Sequence, residues 1–536
     1  MSISELNSSS SEDENIFFRI LKDIFLLFLA AFLFSISFPS FLSRWGCFPL
    51  AFFALIPLFI VVHRCSWKSC FFYGIFFGFT SYCLFNFWLV KFHPLALFIV
   101  PPIHSFYFLL LFPLLKAADS FFPRSGYILQ SLLWVTYEFL KTQGFLAYSY
   151  GILGYSQYLF LPLIAFASIT GVWGVSLIVV FPSALIGHFL KRQSSLKRIR
   201  EYRLPVVSYL IFLFVIIFSG FFAQANTDNS ETWKVALIQQ NVDPWKGGVA
   251  AYEKSLDILI RLSNEALIED PDIIIWSETS FVPGIDWHTR YRTNQISYIL
   301  VKRLRSFLAK QELSFVIGND DGQLIRTETG EEKRVDYNAT ILFGDGKIVE
   351  TYRKVHLVPF TEYFPYKQAL PGVYRWLRNA DTHFWEKGTE YTVFESDGVK
   401  FSTPVCFEDT FGYLCRNFIR EGADVLVNMT NDSWSKSVAA EMQHMSMGVL
   451  RAVENKRSVV RATNGGITAI IDPNGKILNT FPPFVEGYLA GIVPVYKART
   501  TLYTRWGDWF GWLCLLFSLL GTGFALFRQL LLRLRS

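Results

Sequence analysis

Histidine and cysteine are sparse in this 536-residue chain, at eight and seven copies, and no spacing among them fits a zinc site. No glycine-rich loop suited to cradling phosphate occurs. The opening stretch "MSISELNSSSSEDEN" lacks the basic start and small-residue end of a cleavable signal. Polar and low in complexity, it is expected to be a disordered cytoplasmic N-terminus over residues 1–20. No metal and no cofactor is therefore expected. The net charge of +6 forms no nucleic-acid patch and is accounted for by membrane topology.

What is abundant is apolar surface. Hydrophobic residues make up 52% of the chain and aromatic residues 18%, with 55 phenylalanines. Such values point to a membrane protein. A bilayer span needs about 20 apolar residues in a helix. Runs of that kind lie near 24–41, 47–63, 70–91, 95–115, 126–141, 161–190 and 205–223, and a last one at 508–528 contains "WFGWLCLLFSLLGTGFALF". The pattern predicts a membrane domain of about seven helices over 21–225, a soluble-type domain over 226–505, a C-terminal span over 506–530 and a tail at 531–536.

Lysine and arginine collect in alternate loops, as cytoplasmic loops require. Arg19 and Lys22 precede the first run, Arg64 and Lys68 follow the second, and Lys116 and Arg124 follow the fourth. "KRQSSLKRIREYR" follows the sixth, and Arg528, Arg533 and Arg535 close the chain. The intervening loops carry only Arg44, Lys91 and Lys141. Both termini are expected inside and the 226–505 domain on the exported, disulfide-permissive side of a bacterial inner membrane. Five cysteines fall in or beside the apolar runs, which leaves Cys406 and Cys415 in the exported domain. A Cys406–Cys415 disulfide is one reading of that pair, although it would join a strand end to the next helix.

The exported domain alternates short β-branched runs with amphipathic helices. "KVALIQQNV", "DIIIWSE", "SFVIGND", "NATILF", "KFSTPVCF", "DVLVNMTND", "RSVVRAT" and "GITAIIDPNGKIL" read as strands, while 249–268, 293–311, 409–421 and 438–455 read as helices. Several strands are apolar without alternation, which suits sheets covered on both faces. "DPNG" and "GDGK" are hairpin turns. The fold class is thus an α-helical membrane bundle plus an exported α/β layered sandwich.

Three segments at strand ends concentrate reactive groups. "IIIWSETS" carries Glu278, "YRKVHLVPFTEYFP" carries Lys354, His356 and Glu362, and "FSTPVCFEDTFGYLC" carries Cys406 and Glu408. A thiolate is the reactive form of cysteine, and a neighbouring cation favours it. Lys354 would supply that charge and stabilise an oxyanion, while Glu278 would accept and return the thiol proton. The competing reading makes Glu278 and Lys354 a surface ion pair and Cys406 a buried thiol. His356, two residues from Lys354 in a possible strand, and His444 in "EMQHMSMGVLRAVEN" both read as structural.

Taken together, these segments resemble the nitrilase superfamily, whose Glu–Lys–Cys triad sits on an α-β-β-α sandwich. With the flanking apolar helices the chain resembles the apolipoprotein N-acyltransferase family. The resemblance implies that Glu278 is the general base, Lys354 the oxyanion-stabilising cation and Cys406 the nucleophile. It also matches Glu362 and Glu408 to supporting acids, Trp434 in "NMTNDSW" to an aromatic on a mobile arm, and Trp245 in "VDPWKG" to one near the entrance. Ser277, Thr361, Phe407 and Ser433 depart from the residues usual in the family, and Phe407 removes a hydroxyl beside the nucleophile.

The implied reaction moves an acyl chain from the sn-1 ester of a phospholipid, phosphatidylethanolamine by expectation, to Cys406. The chain then passes to the N-terminal amine of a diacylglyceryl-cysteine apolipoprotein. Both substrates and the bilayer are the expected partners. Two other readings stand beside it. A membrane-tethered amidase acting on a small exported amide would share the triad. A transporter or scaffold should carry ionisable residues along its helices, where Glu138 and Lys141 sit at the edge of one span.

Overall fold

The computed structural model describes residues 3–92, 96–191, 196–227, 230–243, 246–326, 330–379, 384–497 and 500–535. Trp245 falls outside them. The helical part is built from segments that occupy the expected apolar runs. Ile16–Ser37, Ala96–Phe121, Val172–Leu190, Arg200–Phe222 and Trp509–Arg528 are long and apolar enough to cross a membrane. Trp67–Phe85 and Gly126–Leu140 pack among them. Trp67–Phe85 lies close against Ala96–Phe121 because Gly74 and Gly78 are one turn apart on the contact face. A Cβ at Gly74 would come within 2.4 Å of the Phe108 carbonyl oxygen, so only glycine lets the two backbones meet there.

One expectation for this part is corrected. The run 161–190 is not one helix. Short helices Leu161–Ile164 and Ala167–Thr170 are followed by Gly171 at φ +66°, and the long helix begins at Val172. A left-handed glycine ends a helix without the steric penalty a side chain would bring. The first helix runs Ile3–Ser37.

The second part consists of two six-stranded sheets. Its strands are β1 (Glu231–Gln239), β2 (Ile273–Trp276), β3 (Ser314–Arg326), β4 (Glu332–Gly344), β5 (Lys347–Arg353), β6 (Phe394–Ser396), β7 (Val399–Ser402), β8 (Val425–Thr430), β9 (Ser458–Thr463), β10 (Thr468–Ile471), β11 (Ile477–Phe481) and β12 (Gly487–Val495). One sheet has the order β12-β1-β2-β3-β4-β5 and the other β11-β10-β9-β8-β7-β6. β1–β2–β3 and β7–β8–β9 run parallel within their sheets, and the remaining neighbours are antiparallel.

The strand period of two explains the layering. Val235, Leu237, Ile273 and Ile275 face the second sheet and share a core with Val425, Val427 and Val460. Their neighbours Ala236, Ile238, Ile274 and Trp276 face outward onto Leu256, Leu259, Leu300 and Leu304 of helices Gly248–Ala266 and Gln295–Leu308. Both faces of these strands are therefore apolar, and each fully buried side chain contributes about 1.5–3 kcal/mol. Helices Gly412–Arg420 and Val438–Asn455 cover the other sheet.

Val438–Asn455 also seats the sandwich on the membrane helices. All its residues from Ala439 on are buried. Gln443 accepts from the Trp88 indole at 2.9 Å and donates to the Pro39 carbonyl at 2.8 Å. Glu454 accepts from the Val172 amide at 3.0 Å and pairs with Arg451.

Candidate active site

Glu278 sits two residues beyond the end of β2, in a turn that β3 approaches closely. A Cβ on Gly318 would lie 2.4 Å from the Ser277 carbonyl oxygen and 2.7 Å from the Glu278 Cα, so the turn requires glycine opposite it. The carboxylate is held on both oxygens. Oε1 accepts from the Asn338 side chain at 2.8 Å, and Oε2 accepts from the Asn431 backbone N–H at 2.9 Å.

Lys354 directly follows β5 and is fully buried. Its Nζ donates to Glu362 Oε1 at 2.9 Å and lies 3.6 Å from Glu278 Oε1. The other oxygen of Glu362 accepts from the Val358 N–H at 2.8 Å. Among the described residues no other cation lies within 4.0 Å of either carboxylate.

Cys406 opens a 3₁₀ turn, Cys406–Thr410, with φ at +52°. It is not on the strand, which ends at Ser402. A non-glycine residue in this region costs on the order of 1–3 kcal/mol and persists only when its surroundings enforce it. Here the Asn428 side chain donates to the carbonyls of Pro404 and Cys406, each at 3.1 Å. Val405 donates its N–H to Glu408 Oε2 at 2.7 Å.

Glu408 is the joint between segments. It is fully buried and accepts from the N–H groups of Val355 and His356 at 2.8 Å, from Val405, and from the Tyr352 hydroxyl at 2.9 Å. The lysine loop and the cysteine turn are thus fastened to one carboxylate.

The electrostatics follow from burial. Desolvation raises the Glu278 carboxyl above its ordinary range, with Lys354 pulling the other way. Burial alone would strip the charge from Lys354, but Glu362 and Glu278 hold its pKa above the usual lysine value. For Cys406, burial and then the Glu278 charge push the thiol well up, and Lys354 opposes them without prevailing. This corrects one expectation: a neighbouring cation was to lower the thiol, but burial and Glu278 outweigh Lys354 and raise it. Burial also lifts Glu408 to about 7, against Lys354 and its backbone donors.

Phe407 stacks edge-on against Phe411 at 4.9 Å and lies 6.0 Å from the His356 ring. Trp434 packs at 5.7 Å against Trp88 of the helical part. His356 contacts the Tyr413 hydroxyl at 3.2 Å, and burial lowers its pKa to about 4, so it is a neutral packing residue. It shares no strand with Lys354, because β5 ends at Arg353. Cys406 and Cys415 are both free, which overturns the disulfide reading. Cys415 is buried in helix Gly412–Arg420, where its thiol points to the Asp409 carbonyl at 3.9 Å. Asn338, Asn428, Asn431 and Tyr352 were not singled out in the sequence; the only signal was the pair of asparagines in "VNMTND". Among the described residues no set of three His, Cys, Asp or Glu side chains is placed to hold a metal ion.

Residues 234–501 match the carbon-nitrogen hydrolase family, and residues 30–185 match the apolipoprotein N-acyltransferase N-terminal domain. Apolipoprotein N-acyltransferase 1 of Treponema denticola is 42% identical over 97% of this chain and 98% of its own length. Apolipoprotein N-acyltransferase 1 of Treponema pallidum is 43% identical over 91% and 92%. The chain belongs to the apolipoprotein N-acyltransferase family. Nit3 of Saccharomyces cerevisiae, a nitrilase-superfamily member, is among the similar solved structures, at 18% identity and a TM-score of 0.35 over 50% of this chain and 92% of its own.

In this chain the free state of both thiols has a direct consequence. Alkylating reagent should modify Cys406 without prior reduction. Cys415→Ala should retain acylation within about twofold while costing about 1–2 kcal/mol of stability from the small cavity it leaves. Mass mapping of the alkylated protein checks the first, and a denaturation midpoint the second.

Proposed function

We propose that the chain transfers a fatty acyl group from the sn-1 ester of a membrane phospholipid, phosphatidylethanolamine in particular, to the N-terminal amine of diacylglyceryl-cysteine apolipoproteins. In this reading the sandwich works on the exported side of the inner membrane and Cys406 carries the acyl group as a thioester. The observation that supports it most is the placement of Glu278 and Lys354, 3.6 Å apart, around the Cys406 turn on a domain seated on apolar helices.

Glu278 takes the thiol proton as sulfur attacks the ester carbonyl, and Lys354 faces the oxygen that becomes negative. The same proton passes from Glu278 to the departing lysophospholipid oxygen. The ammonium of the incoming apolipoprotein must then release one proton to bulk water, so that a neutral amine attacks the thioester. On attack the amine gives a second proton, which Glu278 returns to the leaving sulfur. Two steps through a thioester replace the difficult direct aminolysis of an ester. Seating the site at the bilayer also avoids drawing acyl chains into water, at about 0.8 kcal/mol per CH₂.

Purified full-length protein incubated with chain-labelled phosphatidylethanolamine tests this. Intact mass should rise by one acyl group that neutral hydroxylamine removes, and adding a diacylated lipopeptide should discharge it as amide. Cys406→Ala should acquire no label. Labelling that persists in Cys406→Ala, or that resists hydroxylamine, would contradict the assignment.

A further inference from the structure

His444 reads in the sequence as an ordinary helix residue, yet it stands where two parts of the site meet. It lies on helix Val438–Asn455, 3% exposed. Nε2 is 2.8 Å from Asp409 Oδ1, and Nδ1 is 3.1 Å from Asp432 Oδ2. Arg461 of β9, fully buried, spans the same two carboxylates, with Nη1 at 2.6 Å from Asp409 Oδ2 and Nη2 at 3.4 Å from Asp432 Oδ2.

One of the two acids lies in the Cys406 turn and the other next to the residue that holds Glu278. Asp409 is in the 3₁₀ turn opened by Cys406. Asp432 follows Asn431, whose N–H holds Glu278, and precedes Trp434 by two positions. We infer that His444 is a positioning residue: with Arg461 it clamps the Cys406 turn to the Asn431–Trp434 segment, so that nucleophile and base are set by one buried ionic cluster. This rests on the reading of Cys406 and Glu278 as nucleophile and base.

Charge accounting supports a clamp over neutral packing. Burial works against a charge on His444, but Asp432 and Asp409 hold its pKa up at about 9, and Asp432 is correspondingly lowered to about 2. Glu441, the third acid, is raised far above its usual range by burial and by Asp432, and it takes a hydrogen bond from Ser435. His444 and Arg461 each face both Asp409 and Asp432, in a place where an unpaired charge is costly. The Tyr150 ring, in the loop that follows helix Gly126–Leu140, lies 6.4 Å from the imidazole. Gly466 leaves no slack, since a Cβ there would lie 2.7 Å from Glu441 Oε2 and 3.0 Å from Asp432 Oδ2.

The test is a double-mutant cycle in the full-length protein, read by single-turnover acyl-enzyme formation. His444→Gln strands one carboxylate and is expected to slow acylation about 30-fold with KM for phospholipid within twofold. Asp432→Asn alone should slow it about tenfold. The double variant restores charge balance and should be at least about fivefold faster than His444→Gln, a coupling typical of residues in one network. Losses that simply multiply, or His444→Gln within twofold of the unaltered protein, would overturn the clamp. Should His444→Gln fail to fold, an unchanged rate in Asp432→Asn overturns it equally. If the unaltered protein itself takes no acyl label, the fault lies with the proposed reaction.

Discussion

Lys354→Met is expected to slow acyl-enzyme formation by at least about 10³-fold and to lower stability by about 3–5 kcal/mol. The two effects have separate causes. Lys354 is the cation that faces the developing oxyanion in the proposed reaction, and removing one such donor commonly costs 10²–10³-fold in rate. It is also buried between Glu362 at 2.9 Å and Glu278 at 3.6 Å. Methionine keeps most of the volume but leaves two buried carboxylates facing each other. One must then take a proton, and a protonated Glu278 no longer serves as base. Lys354→Arg should not rescue, because a planar guanidinium cannot occupy the space of a compact ammonium. Single-turnover labelling and a denaturant midpoint measure the two effects independently. A Lys354→Met protein that acylates within tenfold of the unaltered chain would remove the lysine from the mechanism.

Glu278 and Cys406 each follow an apolar strand, and strand ends of a layered sheet converge, whereas Lys354 follows β5, a largely exposed strand. The run "IIIW" predicts β2 and places Glu278 just past it, as observed. The hairpin turns "GDGK" and "DPNG" join β4 to β5 and β10 to β11. Helix Val438–Asn455 was read to the residue. Cys406 was placed at a strand end, whereas it lies four residues beyond β7 in a strained turn. In "STPVCFEDT" the local tie is Glu408 to the Val405 N–H, while Asn428 of β8 holds the Cys406 carbonyl from outside the stretch. Long-range ties of this kind are what a single sequence conceals. The thiol's raised pKa was misjudged for the same reason, since burial is a property of the packed site and not of a spacing.

Glu408 shows what such a tie is worth. Glu408→Ala removes the acceptor for the N–H groups of Val355, His356 and Val405 and for the Tyr352 hydroxyl, all inside the protein. Each buried donor left unpaired costs about 1–3 kcal/mol, so the loss should be on the order of 5 kcal/mol. The lysine loop and the cysteine turn would then be free to part. A displacement near 1 Å between reacting groups costs about 10²-fold, and kcat should fall by at least that much with KM for phospholipid little changed. Glu408→Gln is the discriminating variant. It preserves volume but turns an amide N–H₂ toward donors that already point at that position, so part of the defect should persist. Tyr352→Phe leaves the three backbone donors satisfied and should cost only about 1 kcal/mol. That ordering, Ala worst, Gln intermediate and Phe mild, in both melting point and acylation rate, is the signature of a carboxylate that fastens two loops. An acid that touches substrate would instead raise KM on losing its charge, and Glu408→Gln would then be as inactive as Glu408→Ala while remaining stable.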